Sequence, residues 1–225
     1  MFDRIILNIP HSSPLFPFGK DGWDDGIETE LSRWTDWYTD WIFQSVDARI
    51  ISVSYPFSRF FCDVERLEDD PLENVGQGIV YKRFNSLKRN ISDYEESWAR
   101  KTYYDHLERL CSFINDNRVL LLDCHSFPSD LSDVDIWIGF NDDWSRPSEE
   151  ITDIVIRTFT KTGYNVGVNS PYSNSITPSC KYGYKSLMIE LNKSIYLDDH
   201  NRLIVDKAEE IKKIINDIYG KLLYD

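Results

Sequence analysis

The chain has 225 residues, 41% hydrophobic and 14% aromatic, with a formal net charge of −13. That length is ample for a full hydrophobic core and fits one domain, and the composition is that of a folded globular protein without low-complexity tracts. The acidic balance argues against nucleic acid or an anionic membrane as the main partner; a small anion is still possible where local arginines invert the field.

No apolar run approaches the roughly 20 residues needed to span a bilayer. The apolar part of the N-terminal MFDRIILNIP is too short for a secretory signal, so a cytoplasmic location is expected by default. Cys62, Cys111, Cys124 and Cys180 show no CxxC pairing. Cys62 and Cys124 lie in apolar, strand-like runs and read as buried thiols. The expectation is therefore a reducing compartment and no disulfide framework.

In chain order, residues 4–9 read as a strand. Residues 10–27, rich in Pro, Gly, Ser and Asp, read as a loop. Residues 28–46 carry Leu31, Trp34, Trp37, Tyr38 and Trp41 at helical spacing and read as one helix. Residues 49–54 are a short strand, and 59–64 (RFFCDV) look like another. Residues 65–90 are irregular. Ser92 and Asp93 start a long helix to about Asn115, with Glu95 and Glu96 in its first turn, where a helix favours negative charge. Residues 118–128 (RVLLLDCHSFP) contain a continuous apolar run, the pattern of a strand covered on both faces. Residues 134–140 are a further strand, and 146–162 a helix with Ser148 as candidate cap. Residues 164–168 form a short strand and 169–184 a polar loop. Residues 187–191 (LMIEL) are the last strand, and 207–223 a closing amphipathic helix. Apolar strands alternating with helices predict an α/β protein with a mainly parallel sheet and helices on both faces.

Two of the apolar strands end in a histidine, His11 and His125. In open α/β sheets chemistry sits just beyond the carboxyl ends of the strands. Two imidazoles and a carboxylate, with a position left for water, form a catalytic zinc set. The remaining histidines, His106 in a charged helix and His200 in a polar loop, read as surface residues. Glu190 is a carboxylate among large apolar residues, a costly placement unless it is paired or functional. Beside a metal-bound water it is a candidate general base; otherwise it is a structural ion pair. Alternation puts Glu190 with Met188 on one face, and Ile189 with Leu191 on the other. Arg59 and Arg66 flank an apolar stretch and could fork a carboxylate, or lie solvated on an edge. Spacing leaves the third metal ligand open among Asp36, Asp40, Asp63, Glu65 and Asp123.

The ordered pieces Ile9-Pro10-His11-Ser12, Thr35-Asp36-Trp37, Ser58-Arg59-Phe60, Asp63-Val64-Glu65-Arg66, Gly78-Ile79-Val80-Tyr81, Asp123-Cys124-His125-Ser126 and Ile189-Glu190-Leu191 followed by Tyr196 resemble the N-formylglutamate amidohydrolases, relatives of the zinc carboxypeptidases and aspartoacylases. The resemblance implies a three-layer α/β/α, phosphorylase/hydrolase-like fold across residues 1–225, as a monomer or small homo-oligomer. It implies one Zn2+ on His11, Asp36 and His125, with Glu190 as the catalytic glutamate. Arg59 and Arg66 would be the substrate-binding arginines, Arg59 also steadying the oxyanion, with Lys82 and Asn169 as further substrate contacts. Asp123 would orient His125. The implied activity is hydrolysis of an N-formyl or other N-acyl amino acid such as N-formylglutamate. The alternatives are a carboxypeptidase-like or other N-acyl amino acid amidase, or a non-catalytic metal-binding or ligand-binding protein. The chain departs from the family's pattern at Glu65, where Asn is usual, at Ser13, and at Ser173-Asn174-Ser175, where a Gly-Gly pair is expected. An extra carboxylate at Glu65 would weaken binding of a dianion.

Overall fold

The computed structural model describes residues 1–19, 22–170 and 174–223. In chain order the elements are β1 (Arg4–Ile9), α1 (Ile27–Trp34), α2 (Thr39–Ile42), β2 (Ile50–Ser54), β3 (Arg83–Phe84), β4 (Leu87–Lys88), α3 (Asp93–Phe113), β5 (Val119–Phe127), β6 (Ile136–Gly139), α4 (Glu149–Lys161), β7 (Val166–Val168), β8 (Lys185–Asn192) and α5 (Val205–Leu222). One sheet has six strands in the order β2-β1-β5-β8-β6-β7. Its pairings are parallel except that of β6 with β8. The architecture is α/β with a mixed, mostly parallel sheet and helices on both faces.

The pleat sorts side chains between the two faces. Ile6, Val119 and Leu121 pack with Leu110 of α3 and with Ile114 just beyond it on one face. Leu7, Leu122, Cys124, Ile189 and Leu191 meet Ile42 of α2, Val155 of α4 and Ile215 of α5 on the other. β5 is buried at every position, which accounts for its unbroken apolar run. Among the described residues no helix is long and apolar enough to cross a membrane.

Four local expectations are corrected. The helix expected over 28–46 is two helices. Thr35 turns extended (φ −73°, ψ 132°) and Tyr38 is left-handed (φ 63°). The aromatic periodicity continues through the break, so the sequence pattern does not reveal it. Residues 59–64 form turns rather than a strand, because Phe60 and Phe61 are drawn into separate aromatic clusters. His106 is buried at 5% exposure: it shares the α3 stripe of Ala99, Tyr103 and Leu110. His200 is exposed, as expected.

The fourth correction concerns cysteine. Cys62 and Cys124 are buried free thiols, but Cys111 and Cys180 form a disulfide across 69 residues. Their long separation gives no motif; the contact exists because the segment before β8 lies against the end of α3. A loop of that length contributes about 4 kcal/mol through restriction of the unfolded chain. Cys111→Ser is expected to lower the unfolding free energy by roughly that amount, read from the urea midpoint of the oxidised protein.

Candidate active site

β1, β5 and β8 lie side by side and end at one rim. In the β5–β8 register His125 stands beside Glu190, and Asp123 beside Met188; Asn8 of β1 stands beside Asp123. All project from the face that α3 covers. His11 follows β1 after Pro10. Asp36 reaches the same rim from the break between α1 and α2, where its backbone N–H donates to His11 O at 2.9 Å. A cleft of about 760 Å³ opens here, lined by His11, Asp36, Arg59, Arg66, His125 and Glu190 among others.

Both histidines are oriented the same way. His11 Nε2 is 2.8 Å from Asp63 Oδ1, and its Nδ1 lies 3.8 Å from Asp36 Oδ2. His125 Nε2 is 3.1 Å from Asp123 Oδ1, and its Nδ1 is 3.2 Å from Asp36 Oδ2. An Nε2–H donated to an aspartate leaves Nδ1 free to act as a ligand. His11, Asp36 and His125 each offer a ligand atom within 4.8 Å of the others. All three residues are buried, and His11 Nδ1 is an enclosed nitrogen without a hydrogen-bond partner. A buried nitrogen facing a carboxylate, with no proton to share, suits a cation between them. Zn2+ is compatible with this N, N, O donor set.

The electrostatics treat the two histidines differently. Burial, helped by Arg59, pulls His11 down to about 4. Burial works against charge on His125 as well, but Asp123, Asp36 and Glu65 outweigh it and hold it well above the usual histidine range. Asp63 stays far below the usual carboxylate range despite its burial, because His11, Arg59 and Arg66 surround it. Glu190 has an enclosed Oε2 without a partner. Burial pushes it up to about 7, and Asp36 and Asp123 add to this against His125 and Arg59.

Behind the histidines lies a polar chain. His106 Nε2 is 2.8 Å from Asn8 Oδ1, and the Asn8 amide donates to Asp123 Oδ1 (2.8 Å) and Glu65 Oε1 (2.5 Å). Burial and Asp123 push Glu65 well above the carboxylate range. Sequence reasoning missed His106. Its helical spacing from Tyr103 and Leu110 was the available signal.

Arg59 and Arg66 line the cleft and converge on Asp63. Arg59 Nη2 donates to Asp63 Oδ2 (3.2 Å), and Arg66 Nη2 to Tyr81 Oη (3.0 Å), which donates on to Asp63 (2.8 Å). Two expected contacts stand apart from the cleft. Lys82 pairs with Glu96 at 2.9 Å, and Asn169 Oδ1 accepts from Phe140 N at 2.9 Å. Among the other candidates for third ligand, Asp63 bonds His11 Nε2, Glu65 and Asp123 form a second possible donor group with His125, and Asp40 is exposed on α2. At the departure over 173–175, Ser173 lies outside the described residues, while Asn174 and Ser175 line the cleft.

A model of the N-formylglutamate amidohydrolase family matches residues 3–197. The N-formylglutamate amidohydrolase of Ralstonia eutropha JMP134 has a similar structure, with a TM-score of 0.73 at 17% identity, over 98% of this chain and 93% of that one. A gene product of Agrobacterium tumefaciens superposes with a TM-score of 0.66 at 14% identity, over 98% and 92% of the two chains. At these identities the likeness is one of fold. No curated protein matches the sequence.

Proposed function

Since the chain belongs to the N-formylglutamate amidohydrolase family, we propose that it cleaves the amide bond of a small N-acyl amino acid, with N-formylglutamate as the leading substrate. The observation that carries this reading is the enclosed, unpartnered Glu190 Oε2 in the same arginine-lined cleft as the His11, Asp36 and His125 donors. His11 and His125 would hold Zn2+ through Nδ1, and Asp36 through a carboxylate oxygen. A divalent ion in such a site supplies Lewis acidity, making water more acidic and polarising the scissile carbonyl.

The chain's own residues do the rest. Glu190 accepts the proton of the attacking water at Oε2 and returns it to the departing amine nitrogen. One water is consumed, the acyl C–N bond breaks, and a carboxylic acid and an amine leave. Arg59 offers N–H groups to the oxygen that gains charge, and Arg66, with Arg59, forks the substrate's carboxylate. Asp63 holds His11, and Asp123 holds His125, in the tautomer that presents Nδ1.

The test is zinc analysis of the purified protein together with an N-formyl and N-acetyl amino acid series, read by release of free amine and of formate. Zinc with formate release supports the proposal; zinc without hydrolysis of any member of the series makes the protein a binding protein. The contact of Asp63 with His11 has its own expected result. Asp63→Asn loses the charge that orients His11, and zinc affinity falls about 10- to 100-fold, measured by competition with a chromophoric chelator.

A further inference from the structure

We propose that Lys193 is a positioning residue that sets Asp36 for its cation by clamping the end of α1, an inference that rests on the metal reading above. Lys193 follows Glu190 by three residues, in the 3-10 turn Lys193–Ile195 beyond β8. It is a lysine buried at 6% exposure, an environment that needs a compensating partner. Its ammonium donates to the Arg33 carbonyl. In an unbroken helix that carbonyl would receive the N–H of Trp37, but the Trp37 N–H turns to Thr35 O. The break that carries Asp36 to the rim therefore leaves a helix carbonyl in need of a donor, and Lys193 supplies one with a charge that suits a helix C-terminus.

Lys193 does not act alone. The Asn201 amide donates to Ser32 O at 3.0 Å, and Tyr196 Oη donates to Trp37 O at 3.0 Å. Carbonyls on both sides of Asp36 are thus held by side chains from one segment, residues 193–201. The Asp36 N–H is fixed to His11 O. With its flanks tethered, Asp36 has little freedom to leave the two Nδ1 atoms. Asp36 and Glu190 are near enough to favour the Lys193 charge, against burial, Arg59 and Arg33, which pull it down to about 8. One short stretch of chain thereby couples the strand of the base to the turn of the carboxylate ligand.

The experiment compares wild type, Lys193→Met and Lys193→Arg. Met keeps much of the stem but removes the donor; Arg keeps charge and donors. The readouts are the zinc dissociation constant by chelator competition and the visible absorption of Co2+ bound in place of zinc, with circular dichroism to confirm folding. The expected result is a folded Lys193→Met variant that binds zinc about 10- to 100-fold more weakly, with an altered Co2+ spectrum, and a Lys193→Arg variant that recovers most of the affinity and the spectrum. Wild-type affinity and an unchanged Co2+ spectrum in Lys193→Met overturn the clamp. If Lys193→Met fails to fold, Tyr196→Phe decides: weaker zinc binding with a shifted spectrum supports the clamp, and wild-type behaviour overturns it. A wild-type protein that takes up neither zinc nor Co2+ refutes the metal reading instead, a result separate from equal binding by wild type and variant.

Discussion

Glu190→Gln is expected to keep its zinc and lose about 10³-fold in kcat/KM, the middle of the range for removing a general base. Gln has the shape of Glu but cannot accept the water's proton. The His11, Asp36 and His125 donors are untouched, so metal content stays at the wild-type level. Retained turnover would remove Glu190 from the mechanism. The same variant has a stability signature that does not depend on substrate. Burial raises Glu190 from 4.5 to about 7 in the folded chain. Between those values the folded state binds more protons than the unfolded state, so this group's contribution to stability falls as pH rises and is lowest above about 7. The apoprotein of Glu190→Gln should therefore be more stable than wild type at pH 8, by on the order of 2 kcal/mol, and the advantage should vanish near pH 4. Urea unfolding at the two pH values measures it.

His125→Ala is expected to abolish stoichiometric zinc binding. Structural zinc sites with four ligands bind with about 10–16 kcal/mol, so one ligand is worth about 3 kcal/mol, a factor of about 10² or more in affinity. The loss here is compounded by what remains. Asp36 and Asp123, each within 3.2 Å of a His125 ring nitrogen, would be left as buried carboxylates without their shared partner, which costs several kcal/mol. Metal analysis after gel filtration gives the result, and full zinc occupancy in the variant would refute the ligand set. Activity should fall with the metal, unlike Glu190→Gln, where metal and activity part company.

The residues at the strand ends were legible from sequence because their signals are local. β5 is covered on both faces, so its apolar run is long and stops where the rim begins, at Asp123 and His125. β1 carries the same signal into Pro10 and His11. Glu190 stands out because a carboxylate among Leu187, Met188, Ile189 and Leu191 needs a reason. The alternation that places Glu190 on the face of Met188, opposite Ile189 and Leu191, follows from the pleat alone and holds in the structure. The alternation of strands and helices specified the α/β class and the mainly parallel sheet for the same reason: parallel strands need helical crossovers.

Only the tertiary structure decided how those residues work together. Helical periodicity runs through Thr35–Tyr38 without interruption, whereas the chain breaks there and meets partners about 160 residues away: Lys193, Tyr196 and Asn201 bond the carbonyls of Arg33, Trp37 and Ser32. Spacing alone left Asp36 among five carboxylates, and the family resemblance singled it out. The structure shows the turn that brings it to the two Nδ1 atoms. The contact of Asp63 with His11, the His106–Asn8–Asp123 chain and the Cys111–Cys180 disulfide are likewise long-range contacts. Periodicity records which face of an element is buried; it carries no record of which distant donor meets which acceptor there, and the geometry of this site is made of such meetings.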